Sequence, residues 1–251
     1  MKFWSNLHRH EAIARIGSRF PRQIAFVKSR FSPEGYLGLN LTIGALLLIG
    51  ATWLFGVIAE DVVTREPLTV WDIRFSAWLH LHAVRPLTTV LLFVTNIHST
   101  WGVAITTVVV SLFLIRLRQR YWLLSLLLSV GGGMLLNVLL KNAFHRARPQ
   151  FADPILTLTS YGFPSGHTMM ATTLYGVLCV FAVSKIHRWP MRLLAICLAI
   201  FLVLLVGFSR IYLGVHYLSD VLGAIAEGVA WMALCLTAVD TMRRRQHRKA
   251  R

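Results

Sequence analysis

The chain has 251 residues, of which 56% are hydrophobic and only 14% are charged, and its mean hydropathy is +0.61. A soluble globular domain carries about 25% charged residues, so this composition excludes an ordinary soluble domain and indicates lipid as the solvent. The formal net charge of +16 must then lie mainly outside the lipid-facing segments. The three cysteines all fall in apolar stretches, which predicts small core residues and no disulfide framework.

Residues 1–36 are basic, and their apolar side chains recur at helical spacing. This pattern predicts a cytoplasmic, basic, amphipathic arm that lies on an anionic membrane surface. A mitochondrial presequence is the alternative, because only Glu11 and Glu34 are acidic in this segment. A cleavable secretory signal is not favoured, because the first apolar stretch begins late and is too long.

Six stretches are apolar and long enough, or nearly so, to cross a hydrocarbon layer about 30 Å thick, which takes about 20 helical residues. The second stretch is overlong and contains a polar run at residues 95–100, so we place the crossing after Thr100. The predicted crossings are Leu37–Ile58, Leu87–Ile115, Tyr121–Leu140, Pro164–Lys185, Met191–Phe208 and His216–Asp240.

The distribution of basic residues between these stretches predicts their orientation. With the N-terminus in the cytoplasm, 19 of the 26 Lys and Arg residues lie on the cytoplasmic side, as the positive-inside rule requires. We therefore expect an all-α, six-helix transmembrane bundle with both termini inside. It comprises the arm at residues 1–36, a membrane domain at 37–240 and a basic cytoplasmic tail at 241–251. A bacterial inner membrane fits this compact layout.

The outer stretch Glu60–Arg85 mixes acids, tryptophans and two histidines, His80 and His82. The histidines allow a metal site as an alternative, but Trp71 and Trp78 favour an interfacial segment with an aromatic belt.

Three polar clusters stand out in a chain that otherwise avoids charge. They are Lys141–Pro149 after the third crossing, Pro164–His167 at the start of the fourth, and Ser209–Asp220 between the fifth and sixth. The predicted topology brings all three to the outer side of the membrane. Ionisable residues at membrane depth are costly and by default mark function.

The residue types in these clusters suit the binding of a phosphate group. Ser165 is a natural N-cap, and the amides of Gly166 and His167 would point at an anion that the helix dipole also attracts. Lys141, Arg148 and Arg210 supply cations, and guanidinium groups can grip two oxygens at once.

His216 and Asp220 are four residues apart and so share one helix face, where the carboxylate can hold one ring nitrogen and leave the other free. This is the arrangement of an oriented nucleophile or base. His167 remains as a second titrating group. Each motif alone is weak, since a single histidine at a helix end is more often a packed or solvated residue, but together they indicate catalysis.

These three clusters resemble the three-part signature of the type 2 phosphatidic acid phosphatase superfamily. Its members include bacterial lipid phosphatases, undecaprenyl pyrophosphate phosphatases and vanadium haloperoxidases. The resemblance implies that His216 attacks phosphorus, that Asp220 holds its ring, and that His167 protonates the departing oxygen. It also implies a metal-independent reaction with no cofactor. The residues implied to hold the phosphoryl oxygens are Lys141, Arg148, Ser165, Gly166 and Arg210. His145 and Arg146 fall at positions that the signature leaves free, and we assign them no role.

The expected function is therefore hydrolysis of a lipid phosphomonoester or pyrophosphate through a phosphohistidine at the outer leaflet. Candidate substrates have small headgroups, namely polyprenyl pyrophosphate, phosphatidate or phosphatidylglycerol phosphate, because few residues separate Pro149 from Pro164. Transfer of the phosphate to another lipid and a non-catalytic phospholipid-binding role stay open as alternatives. We expect a membrane lipid as partner and no nucleic acid. The oligomeric state stays open.

Overall fold

The computed structural model describes residues 39–65 and 67–249. In these two ranges the chain forms helices joined by turns and loops, and no strand occurs among them. This confirms the prediction of an all-helical protein. The predicted amphipathic arm at residues 1–36 lies outside the described residues.

The described residues form eight helices, numbered here in chain order. They are α1 Leu39–Thr64, α2 Pro67–Leu81, α3 Arg85–Ile97, α4 Thr100–Arg116, α5 Arg120–Phe144, α6 Gly166–Lys185, α7 Trp189–Tyr212 and α8 Leu218–Lys249.

Five of these helices, α1 and α5 to α8, are long and apolar enough to cross a membrane. Helices α2 and α3 meet at an angle of 119° and add a sixth span only if the bent pair counts as one, while α4 is apolar but has 17 residues. The prediction of several apolar spans is confirmed, whereas six crossings and two cytoplasmic termini stay predictions.

The second predicted crossing is interrupted in the structure, because α3 ends at Ile97 and α4 begins at Thr100. Ser99 caps α4, and its hydroxyl accepts a hydrogen bond from Gly102 N at 3.2 Å. Two side chains of the polar run, Thr95 and His98, are buried. The polar run therefore turns the chain and directs side chains into the protein.

The outward faces of the long helices are apolar, as expected where lipid replaces water. On α7, for example, Leu194 and Phe201 are each 59% exposed. Cys197 is exposed on the same helix and Cys235 is buried in α8. The prediction that all three cysteines are core residues is therefore wrong for Cys197, which lies on the outer surface of its span.

Helix α5 contains one π-helical turn at Leu128–Gly132. A π turn widens the helix, and in this one Trp231 of α8 donates a hydrogen bond to the carbonyl of Leu128 at 3.0 Å. Gly133 follows, where a side chain would collide with Met169 of α6. This close packing places the C-terminal end of α5 against α6 and α8.

Helix α8 runs without a break past Asp240 to Lys249. The predicted basic tail is therefore, as far as residue 249, a continuation of the last helix. The end of α8 lies beside the start of α1, where Asn40 donates a hydrogen bond to Asp240 at 3.3 Å. The start of α5 also meets it there, since Tyr121 donates to Gln246 at 2.6 Å. We call this end of the bundle the far end.

Candidate active site

The three polar clusters converge at the other end of the bundle. A short turn links α7 to α8, and Gly214 takes a left-handed conformation there with φ +70°, which glycine adopts without steric cost. Gly214 N donates to the carbonyl of Ile211 at 3.0 Å and reverses the chain. The amide of Ser165 donates to the carbonyl of Asp220 at 3.0 Å, which joins the start of α6 to α8.

His216 lies between Asp220 and Arg148. Its Nδ1 is 3.2 Å from Asp220 Oδ2, and its Nε2 is 3.0 Å from Arg148 Nη1. Because a guanidinium only donates, Nε2 must accept, so the ring proton is assigned to Nδ1 and faces the carboxylate. This tautomer directs the Nε2 lone pair towards the cations.

The environment of His216 favours its uncharged form. Burial, together with the positive charges of Arg148, Arg210 and Lys141, lowers the pKa of His216 well below its ordinary value of 6.5. A base with a lowered pKa keeps its lone pair available as the pH falls, which is the state that a nucleophilic nitrogen requires.

The loop before α6 holds two of the predicted cations by its carbonyl groups. Arg148 Nε donates to Ser160 O at 2.6 Å, and Arg148 Nη2 donates to Tyr161 O at 3.1 Å. Lys141 Nζ donates to Tyr161 O at 2.8 Å. Arg148 Nη1 also donates to Val215 O at 2.7 Å. The positive groups are thus fixed against His216 before a substrate arrives.

Arg210 is the third predicted cation, and it is almost completely buried at 1% exposure. Its Nη1 donates to the hydroxyl of Thr95. Within the described part of the chain, its Nε and Nη2 meet no hydrogen-bond partner. A buried charge with two unsatisfied donors is costly, and an anion in the site would satisfy both.

The first turn of α6 contributes the remaining predicted residues. Ser165 occupies the N-cap position and makes no capping bond to the helix, while its hydroxyl accepts from Thr168 at 3.0 Å. The amides of Gly166 and His167 therefore begin a helix with no side-chain cap. His167 lies within electrostatic reach of His216 and Arg210. The structure thus gathers all eight predicted site residues at one end of the bundle, around His216.

Sequence reasoning missed Arg146, to which we assigned no role. Its Nη1 donates to Asp220 Oδ1 at 2.5 Å, and its Nη2 donates to Asp72 Oδ2 at 2.7 Å. Burial by itself lowers the pKa of Arg146. The negative charges of Asp220 and Asp72 outweigh this effect and raise the pKa above its ordinary value. In the sequence, Arg146 stands out only as the third basic residue of the first cluster. That position does not predict which carboxylates it pairs with.

The same network contains Asp72, which the sequence placed in an interfacial segment. Asp72 is 1% exposed, and its Oδ1 accepts a hydrogen bond from Ser219 N at 2.9 Å. Asp72 therefore points into the protein, while the interfacial position of this part of the chain stays a prediction. No periodicity or motif pairs it with Arg146, because the two are joined only by packing.

Two other polar pairs lie close to the pocket. His98 Nε2 is 2.5 Å from the hydroxyl of Tyr175, and His98 also lies within electrostatic reach of His167. Asn137 donates to buried Glu227 at 2.9 Å. The signal for Glu227 was available, since it is an acidic residue inside the last apolar stretch.

The two histidines for which a metal site was the alternative have other partners. His80 Nε2 is 2.9 Å from Asp153, and its ring stacks on Phe151 at 4.0 Å. His82 Nδ1 is 2.8 Å from the carbonyl of Trp78. Among residues 39–65 and 67–249, no group of three or more His, Cys, Asp or Glu side chains could hold a metal ion.

Comparison with known proteins identifies the family. Residues 122–244 match the PAP2 superfamily. Phosphatidylglycerophosphatase B of Bacillus subtilis is 40% identical over 111 residues, which are 42% of this chain and 52% of that protein. Undecaprenyl-diphosphatase BcrC of Bacillus subtilis is 32% identical over 102 residues, 39% of this chain and 48% of the relative. The chain thus spans about half the length of these two relatives.

A solved structure shares the fold. The transmembrane PAP2-type phosphatidylglycerolphosphate phosphatase from Bacillus subtilis superposes with a TM-score of 0.69 at 28% identity and covers 78% of this chain and 96% of that one. The matched segment, residues 122–244, contains all three polar clusters. With its apolar helices, the protein is a multi-pass membrane protein, and it belongs to the PAP2 superfamily.

Proposed function

We propose that the protein is a membrane lipid phosphatase that hydrolyses a phosphomonoester or pyrophosphate through a phosphohistidine on His216. One observation carries the proposal, namely that the His216 ring is held between Asp220 at Nδ1 and Arg148 at Nε2. This arrangement gives a neutral imidazole whose lone pair faces a cationic pocket. The PAP2-type relatives, which are named as lipid phosphatases, support the same reaction class.

The reaction has two steps. Nε2 of His216 attacks phosphorus while the bond to the leaving oxygen breaks, and His167 gives that oxygen a proton. Water then attacks the phosphorus atom while the bond from phosphorus to Nε2 breaks. His167 takes a proton from the water, and phosphate leaves with the His216 ring restored. Asp220 stabilises the positive charge that the imidazole ring gains in the first step.

The remaining predicted residues stabilise charge on the transferred group. Lys141, Arg148 and Arg210 face its oxygens, and the amides of Gly166 and His167 add the positive end of the α6 dipole. The hydroxyl of Ser165 accepts from Thr168 and can donate its own proton to a phosphoryl oxygen. Phosphoryl transfer of this kind depends on positioning and preorganised charge, so we propose that it proceeds without a metal ion.

The substrate is proposed to be a lipid with a small headgroup, namely polyprenyl pyrophosphate, phosphatidate or phosphatidylglycerol phosphate. The loop before α6 uses its carbonyl groups to hold Arg148 and Lys141, so it forms a wall close to the phosphate position. We therefore expect a bulky lipid A headgroup to be a poor substrate. Faster turnover of such a lipid than of the three small ones would contradict this assignment.

The decisive experiment measures phosphate release by the purified protein in mixed micelles, with each of the three lipids and with lysophosphatidate. We expect release without any acceptor lipid, which separates hydrolysis from phosphate transfer. We expect His216→Ala to bind the lipid and to lose turnover by at least about 10⁴-fold. Persistent turnover in His216→Ala would remove the nucleophile assignment, and absence of turnover in the native protein would favour a binding protein.

Inhibitors test the metal-free mechanism independently. Orthovanadate adopts the five-coordinate geometry of the transition state, so we expect it to inhibit, whereas EDTA should leave the rate unchanged. Strong inhibition by EDTA, reversed by a divalent cation, would instead indicate a metal-dependent reaction.

The active site is proposed to face the non-cytoplasmic side of a bacterial inner membrane, with both termini and the far end inside and α4 completing six crossings. The positive-inside distribution supports this, since four of the seven basic residues on the other side, Lys141, Arg146, Arg148 and Arg210, belong to the site itself. With the native cysteines replaced by alanine, an impermeant maleimide should label Thr157→Cys in intact cells and spare His247→Cys. The reverse pattern would invert the topology.

A further inference from the structure

Three segments that are far apart in the sequence meet at the guanidinium of Arg146. Its Nη1 donates to Asp220 Oδ1 at 2.5 Å and to the hydroxyl of Ser219 at 2.6 Å, while its Nη2 donates to Asp72 Oδ2 at 2.7 Å. The Arg146 side chain is 11% exposed, and both carboxylates are 0% exposed. The arginine also lies 4.7 Å above the ring of Tyr217. It is thus a fixed part of the protein interior.

These contacts determine how Asp220 is oriented. Arg146 occupies Oδ1, whereas Oδ2 accepts from Tyr217 N at 2.9 Å and faces His216 Nδ1 at 3.2 Å. With both oxygens engaged, the carboxylate has no freedom to rotate away from the imidazole. Without Arg146, the contact that holds Oδ1 would be lost, and a carboxylate turned away would no longer select the Nδ1–H tautomer.

Asp72 completes the arrangement from α2. It accepts from both the amide and the hydroxyl of Ser219, so a side chain from a distant helix caps the first turn of α8. It also shares Arg146 with Asp220, which leaves two carboxylates against one guanidinium. If Asp72 lost its charge, Arg146 would interact more strongly with Asp220. The Asp220 carboxylate would then accept the hydrogen bond from His216 Nδ1 less strongly.

We propose that Asp72 and Arg146 are positioning residues for phosphoryl transfer, acting on His216 through Asp220 without touching the substrate. This inference rests on the proposed phosphatase function. It assigns a role in the reaction to α2, which lies outside the region matched to the family. The alternative is that this network is a structural anchor, which would stabilise the fold without affecting kcat.

The test is Asp72→Asn, which keeps the shape of the side chain and removes its charge. In metalloenzymes, loss of a group that orients a metal ligand without touching the metal lowers activity by about 10- to 100-fold. We expect a similar fall in kcat for phosphate release from phosphatidate micelles. KM should change by less than about threefold, because Asp72 touches none of the three cations that face the phosphate. Ser76→Ala, one turn further along α2 and equally buried, is the matched control and should leave kcat unchanged.

A double-mutant cycle shows whether the effect passes through Asp220. In an Asp220→Asn background, adding Asp72→Asn should lower kcat by less than about twofold. The same fold loss in both backgrounds, or an unchanged kcat in Asp72→Asn, would overturn the inference. If Asp72→Asn does not fold, as judged by thermal unfolding, Arg146→Lys is tested by the same criteria. Lysine keeps the positive charge but lacks the planar guanidinium that donates to both carboxylates.

The outcome is distinguishable from a failure of the proposed function. Active His216→Ala would remove the phosphohistidine reaction itself. Inactive His216→Ala together with fully active, folded Asp72→Asn would remove only the positioning role.

Discussion

Helix α8 carries a carboxylate paired with arginine at each of its ends, and the two pairs differ in how they are built. At the far end, Asp240 pairs with Arg243 at 2.6 Å and with Arg244 at 2.8 Å, three and four residues away, and all three side chains are 22–39% exposed. At the site, Asp220 pairs with Arg146, which is 74 residues away in the sequence, and the carboxylate is 0% exposed.

The chemistry is the same, but the physical consequences are not. An exposed pair on one helix is worth at most about 1 kcal/mol and is easily replaced by water. Removing one partner of a buried pair leaves an uncompensated charge and costs about 3–5 kcal/mol. The far-end pair can form whenever the helix forms, whereas the site pair requires α2, the loop after α5 and α8 to be packed together.

The largest expected contrast is between neutralising the two carboxylates. Asp220→Asn removes the group that holds the His216 ring, and we expect kcat to fall by about 10³- to 10⁴-fold. Asp240→Asn should leave kcat within twofold and lower the free energy of unfolding by less than about 1 kcal/mol. Phosphate release and thermal unfolding of both variants measure this contrast, and equal losses of activity would break it.

Exchanging arginine for lysine should give the next largest contrast. Arg210 presents two unsatisfied donors in the pocket, and lysine would keep the charge but lose the fork, so we expect Arg210→Lys to lower kcat/KM by about 10- to 100-fold. Arg243→Lys at the far end should have no measurable effect. Titration with inorganic phosphate as a competitive inhibitor should show weaker binding only for Arg210→Lys, and normal binding there would contradict its role.

A smaller effect is expected from the residue that holds Arg210 in place. Thr95→Val keeps the side-chain volume and removes the oxygen that accepts from Arg210, so kcat/KM should fall by about 2- to 10-fold. Thr106→Val is the matched control, because the Thr106 hydroxyl donates to the carbonyl of Gly102 within its own helix. If both variants lose activity equally, the polar break between α3 and α4 has no special role.

The last prediction is the absence of a change. Because burial and three cations lower the pKa of His216 well below 6.5, its ring should stay neutral when the pH falls from 7 to 6. Nitrogen NMR of ¹⁵N-histidine-labelled protein in micelles should therefore show a neutral imidazole with the proton on Nδ1. A signal of imidazolium at pH 6, absent from the spectrum of His216→Ala, would mean that the pocket does not favour the nucleophilic state.

Much of the architecture was predictable because lipid imposes a simple rule on sequence. Long apolar runs must become helices that satisfy their own backbone, and α1 and α5 to α8 follow the predicted stretches closely. The polar run at residues 95–100 predicted an interruption of the apolar stretch. It did not predict that Thr95 accepts a hydrogen bond from Arg210. Whether Thr95 faces solvent or Arg210 depends on how α3 packs against α7, which no local pattern encodes.

The sequence by itself determined an apolar helical protein, the clustering of His167, His216, Asp220 and the three cations, and the chemistry that these groups suit. It could do so because each cluster lies at a helix end, where short spacing dictates which side chains point together. Only the tertiary structure decided the partners of Asp72 and Arg146 and the orientation of the His216 ring. Those contacts join residues of different helices, and they exist only when packing brings the buried charges within hydrogen-bond distance.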